Sequence, residues 1–275
     1  MFRGFYTAAS GMLSQQRRAE ILTNNLANVN TPGYKADQLS LRAFPEMLIS
    51  RIHSGTTKKS GGKRMMFPVG TVNTGVYVQD ATPAFRQGDL RKTELPTDFA
   101  LQNIAMPANE EGISGTVFFI LQNPGGGVQY TRNGNFTLDS RGFLTTATGY
   151  YVLDINGNPV QLENDGFRLT EDGYIEQNGA VVARLGIAFS ENPNLLRKTG
   201  AGLYEPEEGE LPSAYDAGPE LAFALKQGYV ERSNVDAART MTELLAAYRS
   251  FEANQKVLQA YDRSMDKAVN EIGKV

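Results

Sequence analysis

The sequence has no cysteine and no tryptophan, and its 275 residues include one histidine, His53. Without cysteine there are no disulfides, thiolate metal sites or cysteine nucleophiles. A single histidine excludes a multi-histidine metal site and leaves a Ser-His-Asp triad only one candidate base. No run approaches 18 consecutive apolar residues, so no membrane-spanning helix is expected. The N-terminus lacks an uninterrupted apolar stretch and carries Arg17 and Arg18 early, which is unlike a cleaved signal peptide. Charge of neither sign dominates: 27 Lys and Arg against 30 Asp and Glu leave −3, which argues against a dedicated nucleic-acid binder. A content of 41% hydrophobic and 21% charged residues reads as a folded chain able to bury a real core.

Glycine and proline are also scarce, but only at the two ends. All 12 prolines lie between Pro32 and Pro219, and 25 of the 28 glycines lie between Gly33 and Gly228. These residues mark turns and are kept out of helix interiors, so the order is helix, turn-rich middle, helix. At the N-terminal end Phe5, Ala8, Met12, Gln15, Ala19, Leu22, Leu26 and Val29 form one heptad stripe, broken by Gln15 alone. The spacing predicts an amphipathic helix of about 25 residues that stops at Thr31-Pro32-Gly33. At the C-terminal end Leu244, Ala247, Phe251, Asn254, Leu258, Tyr261, Met265, Ala268 and Ile272 keep the same 3-4 spacing. Ser233 and Asp236 resemble a capping box, and the helix is expected from about 234 to 272, roughly 60 Å long. Such a helix cannot bury its whole stripe on its own domain. The two stripes are therefore expected to pair with each other, with other copies, or both, in coiled-coil fashion.

Between the ends, short apolar runs alternate with turn residues. Strands are expected at 75–79, 116–122, 129–132, 135–139, 150–153, 167–170, 174–177 and 181–189. Turns are expected at Asn133-Gly134, Arg141-Gly142, Asn156-Gly157, Asp172-Gly173 and Asn178-Gly179. An internal echo places Phe136 and Phe167 each six residues before a turn glycine, Gly142 and Gly173, as if one hairpin type were used twice. Residues 54–66 form a basic, glycine-rich loop and 205–218 an acidic surface loop. The fold class is mainly β: an all-β middle domain flanked by two amphipathic helices in a coiled-coil-like pair. The parts are 1–33 (N-terminal helix), 34–70 (extended segment and basic loop), 71–228 (β domain) and 229–275 (C-terminal helix).

No motif rises to an enzyme site, a cofactor site or a metal site. Asp154, Asn156 and Asn158 have calcium-loop spacing, but Pro159 stands where such a loop needs glycine, and a hairpin turn explains them better. Gly61-Gly62-Lys63-Arg64 lacks the spacing of a phosphate loop. The pairs Glu110-Glu111 and Glu207-Glu208 sit in polar loop sequence, and His53 has no evident partner.

Four stretches carry a resemblance to a known family. They are Ser10-Gly11-Met12 followed by the run Asn24 to Lys35 (NNLANVNTPGYK), Gln87-Gly88-Asp89-Leu90 with Thr93, Tyr130 to Phe136 (YTRNGNF), and Gln227 to Val235 (QGYVERSNV). Together they resemble the rod and hook proteins of the bacterial flagellum, most of all the basal-body rod group of Bacillus-type bacteria. The resemblance implies a structural subunit exported without a cleaved signal through the flagellar export apparatus. It implies partners that are other copies and other rod and hook proteins, with no nucleic acid and no membrane insertion. The terminal helices would line a helical tube that transmits motor torque. The candidate assembly interface is then Phe5, Ala8, Met12, Leu22, Asn25, Leu26, Asn28 and Val29 with Leu244, Ala247, Phe251, Asn254, Leu258, Tyr261, Met265 and Ile272. One departure stands out: residues 102–115 interrupt the family pattern after Asp98-Phe99-Ala100-Leu101. The competing readings are a secreted surface adhesin and a cell-wall hydrolase with coiled-coil ends; the second would need a placed carboxylate pair or a metal.

Overall fold

The structure is a computed structural model that describes residues 2–52, 66–109, 112–200, 202–207 and 209–273. His53, Glu110, Glu111, Glu208 and all of the basic loop except Met66 lie outside the described residues. The chain divides into two compact units, one of residues 1–24, 38–82 and 238–275, the other of residues 25–37 and 83–237.

The first unit is built from α1 (Phe2–Ala27), β1 (Asp37–Ala43), β2 (Met47–Ile52), β3 (Met66–Val72), β4 (Val76–Pro83) and α2 (Ala237–Lys267), the last ending in a π turn over Ala268–Ile272. The strands form two antiparallel ribbons, β1 with β4 and β2 with β3. The strand at 75–79 is β4, while β1 to β3 fall in the region read as extended chain and loop. Hydroxyls of α1 meet the backbone of the ribbon: Ser10 Oγ accepts from the Val76 N–H at 3.4 Å, and Thr7 Oγ1 and Ser14 Oγ lie 3.1 and 3.3 Å from the carbonyls of Thr74 and Val76. The helices run antiparallel. Gly4 lies against Tyr261, Gly11 against Asn254, and Arg18 Nη2 is 3.3 Å from Glu243 Oε2.

α1 has 26 residues, close to the expected 25, but each helix departs from its sequence pattern at one end. α1 ends at Ala27, so Asn28 and Val29 lie in turns, with the Asn28 N–H on the Asn25 carbonyl at 3.2 Å and the Thr31 N–H on that of Asn28 at 3.2 Å. α2 starts at Ala237 rather than near 234. Ser233 Oγ accepts from the Val235 N–H at 3.3 Å, closing a local turn instead of the expected capping box, and the Asn234 side chain is occupied elsewhere.

The second unit holds β5 (Leu90–Lys92), β6 (Phe99–Ala105), β7 (Thr116–Gln122), β8 (Val128–Thr131), β9 (Phe136–Leu138), β10 (Leu144–Thr146), β11 (Tyr151–Val152), β12 (Phe167–Leu169), β13 (Tyr174–Gln177), β14 (Ala180–Arg184), β15 (Ile187–Ser190), β16 (Arg197–Gly200), β17 (Leu203–Glu205), β18 (Ala222–Gln227) and β19 (Tyr229–Glu231). β7 is central. It pairs β8 along one edge and β15 then β11 along the other. Its run Val117-Phe118-Phe119-Ile120-Leu121 is apolar on both faces because both are covered. Val117, Phe119 and Leu121 enter the main core, while Phe118 packs with Tyr130, Ala188, Leu196 and Tyr204.

The expected strand at 181–189 is two strands. It breaks at Leu185-Gly186, with β14 on β13 and β15 on β7. The hairpin echo is present as β9–β10 and β12–β13, both antiparallel. Phe136 and Phe167 pack edge-on against the same ring, Phe99, at 5.8 and 5.9 Å. Gly134 is less a turn residue than a close-approach residue: its carbonyl accepts from the Phe99 N–H at 2.9 Å, and a Cβ there would overlap the Phe99 carbonyl. Asp154 Oδ1 accepts from the N–H groups of Asn156 and Asn158 at 2.9 and 2.7 Å, a side-chain-closed turn.

Candidate functional site

Two places concentrate the residues singled out in the sequence. The first is the helix pair. Along α2 the residues Leu244 and Ala247 are buried, and Phe251, Asn254, Leu258, Tyr261, Met265 and Ala268 are half-buried. Apart from Thr240 and Glu243 every other residue of the helix is exposed, so the stripe read from the 3-4 spacing is the face turned inward. On α1, Ala8, Ala19 and Leu22 are buried, and Phe5, Met12 and Leu26 half-buried. The side chain of Ile272 lies outside the described part. Both helices keep large apolar residues off this face: Tyr6 and Leu13 on α1, and Met241, Leu245 and Tyr248 on α2, are 47–64% exposed. Gln16, Ala19, Glu20, Thr23, Tyr248 and Phe251 line an open groove.

The second place is a buried ion cluster in the second unit. Glu231 on β19 receives four donors, filling the lone-pair sites of a carboxylate. Oε1 accepts from Lys35 Nζ at 2.6 Å and the Gly88 N–H at 2.8 Å; Oε2 accepts from Arg132 Nε at 2.9 Å and Nη2 at 2.8 Å. Arg132 spends its remaining N–H groups on Asn103 Oδ1 and the carbonyls of Val117 and Leu101, at 2.9–3.1 Å. Lys35 also donates to the Arg86 carbonyl at 2.9 Å. The three side chains are at most 1% exposed. Burial alone would raise the Glu231 carboxyl, but Arg132 and Lys35 together hold it below the usual range. Burial first, and then repulsion from Arg132, lower the Lys35 ammonium to about 8 against the pull of Glu231.

Two asparagines secure the chain segments around this cluster. Asn25, at the end of α1, accepts from the Tyr34 hydroxyl and the Asp37 N–H and donates to the Asp37 carbonyl, all at 2.9–3.0 Å. Its side chain is therefore engaged inside the fold. Asn234 does the same ahead of α2, accepting from the Ala36 N–H at 2.7 Å and donating to the Ala84 carbonyl at 2.7 Å. Gly33 carries its N–H to the Glu231 carbonyl at 2.8 Å. It has φ +68°, and a Cβ would overlap the backbone of Arg132, so both conformation and space call for glycine. Burial, then the nearby Asp37 charge, raise the Tyr34 phenol, which stays protonated as a donor.

Lys35, Arg132 and Glu231 stand in the stretches that carried the family resemblance, yet no chemistry was legible in them. Lys35 and Glu231 are 196 residues apart and Arg132 and Glu231 are 99 apart, and no local spacing rule joins such charges.

Comparison with known proteins bears on both places. Residues 5–35 match the family model "Flagella basal body rod protein", residues 112–183 "Flagellar hook protein FlgE/F/G D1 domain", and residues 226–271 "Flagellar basal body rod FlgEFG protein C-terminal". Each matched stretch contributes one member of the ion cluster: Lys35, Arg132 and Glu231 in turn. The chain is 45% identical over 275 residues, the full length of both, to the flagellar hook-basal body complex protein FlhO of Bacillus subtilis. It is 29% identical to the flagellar basal-body rod protein FlgG of that organism, covering 98% of this chain and 99% of the relative, and 32% identical to that of Borreliella burgdorferi, covering 98% of each.

Proposed function

This chain belongs to the flagellar basal-body rod protein family, and we propose that it is a structural subunit of the rod that assembles through its terminal helices. The full-length similarity carries the first part of this reading. The apolar residues left exposed on α1 and α2 support the second, because solvent-facing Tyr6, Leu13, Met241, Leu245 and Tyr248 lose unfavourable hydration when a neighbour covers them. In this reading the inward stripe from Leu244 to Met265 holds the helices together within one subunit in a coiled-coil-like pair. The outward residues and the groove beside Phe251 then meet other copies and other rod and hook proteins. Contacts that do not close into a ring propagate as a helical tube, the form needed to transmit torque. The reading includes delivery without a cleaved signal, through the flagellar export apparatus, which the same membership supports. The adhesin and hydrolase readings find no support in these similarities.

Removing residues 1–24 or 238–275 tests the proposal. These cuts keep Asn25, Gly33 and Asn234, which cuts after 33 or before 234 would remove from the second unit. The expected result is a protein that retains the second unit but is absent from purified basal bodies, with motility lost. Incorporation of either shortened chain, with motility kept, would refute the assembly role.

A further inference from the structure

The ion cluster has an unequal charge count: two cations share one carboxylate, and all three are sealed from water. An uncompensated buried cation is far costlier than a hydrated one. Before Glu231 is in place, the carbonyls of Leu101 and Val117 and the Asn103 side chain can bind the Arg132 guanidinium but cannot neutralise it. Closing β6, β7 and β8 around Arg132, and residue 35 against them, is therefore disfavoured until the carboxylate arrives. It arrives on β19, the last strand of the second unit, which also holds the Gly33 N–H.

We propose that Glu231 is a closing latch: the second unit reaches its packed state only when its last strand docks, and the segments around Lys35, Arg132 and Glu231 become ordered in one step. A chain whose C-terminal part is missing or held elsewhere keeps this unit open. The closed unit thereby reports that the strand leading into α2 has been delivered. The alternative is a β core that closes by itself and accepts the two flanking segments afterwards.

Pulse-labelled hydrogen exchange during refolding of the full-length protein separates these. The latch requires the amides of 33–37, 99–103, 117–121, 130–133 and 229–234 to gain protection with one rate constant. Protection of 99–103, 117–121 and 130–133 in a phase ahead of 229–234 overturns it. In the native state, Glu231→Gln keeps the shape and removes the charge. Breaking a buried pair in this way is expected to lower protection at least about a hundredfold in all five segments together. A loss confined to 229–234 counts against the latch. Should Glu231→Gln prove too unstable to study, Lys35→Met combined with Glu231→Gln removes one of the stranded cations and is expected to restore part of the protection. A double variant that shows no measurable protection either also refutes the proposal, and the refolding order of the unaltered chain decides in either case.

Discussion

The buried ion cluster of the second unit and the helix faces of the first treat their side chains in opposite ways. In the cluster, charged and amide groups are buried and satisfied: Glu231 has four donors, and Asn25 and Asn234 each bridge backbone groups of other segments. On the helices, large apolar groups face water: Tyr6 is 64% and Leu13 61% exposed. A buried charge needs fixed partners, and the cluster supplies them within itself. An exposed apolar helix face gains when something else covers it. The difference separates residues that specify one fold from residues available for association.

The strongest way to break this contrast is Arg132→Met. It leaves Glu231 with Lys35 as its one cation, removes both donors from Oε2 and strands three further acceptors, and is expected to cost about 3–5 kcal/mol of second-unit stability in urea unfolding. A loss below about 1 kcal/mol would mean that the cluster is not what holds the segments together. Gly33→Ala comes next. It forces a Cβ onto the Arg132 backbone at a positive φ, and about 1–3 kcal/mol of destabilisation is expected by the same measurement.

The response to pH tests the same cluster by titration. Because Lys35 titrates at about 8 in the fold and near 10.5 when unfolded, the unfolded chain binds the extra proton between these values. Stability of the second unit is therefore expected to rise from pH 8 to 10. Above pH 10 it should fall, since burial keeps Tyr204 protonated in the fold and raises Tyr215 to about 12, while unfolded tyrosines ionise. Glu231, held low in the fold, contributes stability above the usual carboxyl value that is lost as pH falls through its folded value. Thermal unfolding of Lys35→Met should lack the rise between pH 8 and 10; a rise that survives in this variant assigns it to another group.

At the helix faces the expected effects on folding are small. Met241→Ser, Leu245→Ser and Tyr248→Ser should change unfolding by less than about 0.5 kcal/mol each, yet their combination should reduce incorporation into basal bodies. Normal incorporation would move the assembly face elsewhere on the helices. Arg18→Ala, which removes a half-exposed pair with Glu243, is expected to cost as little, about 0–1 kcal/mol in the same measurement, and to leave incorporation unchanged.

Much of this arrangement was legible in the chain. The stripe from Leu244 to Ala268 is the inward line of α2 because a helix repeats its face every three or four residues, a property of local geometry. The strand at 116–122 matches β7, and the paired hairpins around Phe136 and Phe167 follow from turn residues at fixed offsets. The helix ends were less legible. Val29 fits the stripe, yet the chain leaves the helix at Ala27, as Asn25 is held by the backbone of Asp37 and Gly33 by that of Glu231, far along the sequence. β14 and β15 read as one strand because nothing local shows that Leu185-Gly186 passes between two sheets.

The sequence by itself determined the order helix, β middle, helix, the faces of the helices and the family, since each rests on local periodicity, turn chemistry or contiguous motifs. Only the tertiary structure decided what the motif residues do. Lys35, Arg132 and Glu231 become a single site when β-strand pairing brings them within hydrogen-bonding distance, and the worth of their charges is set by burial, a property no local stretch of sequence possesses.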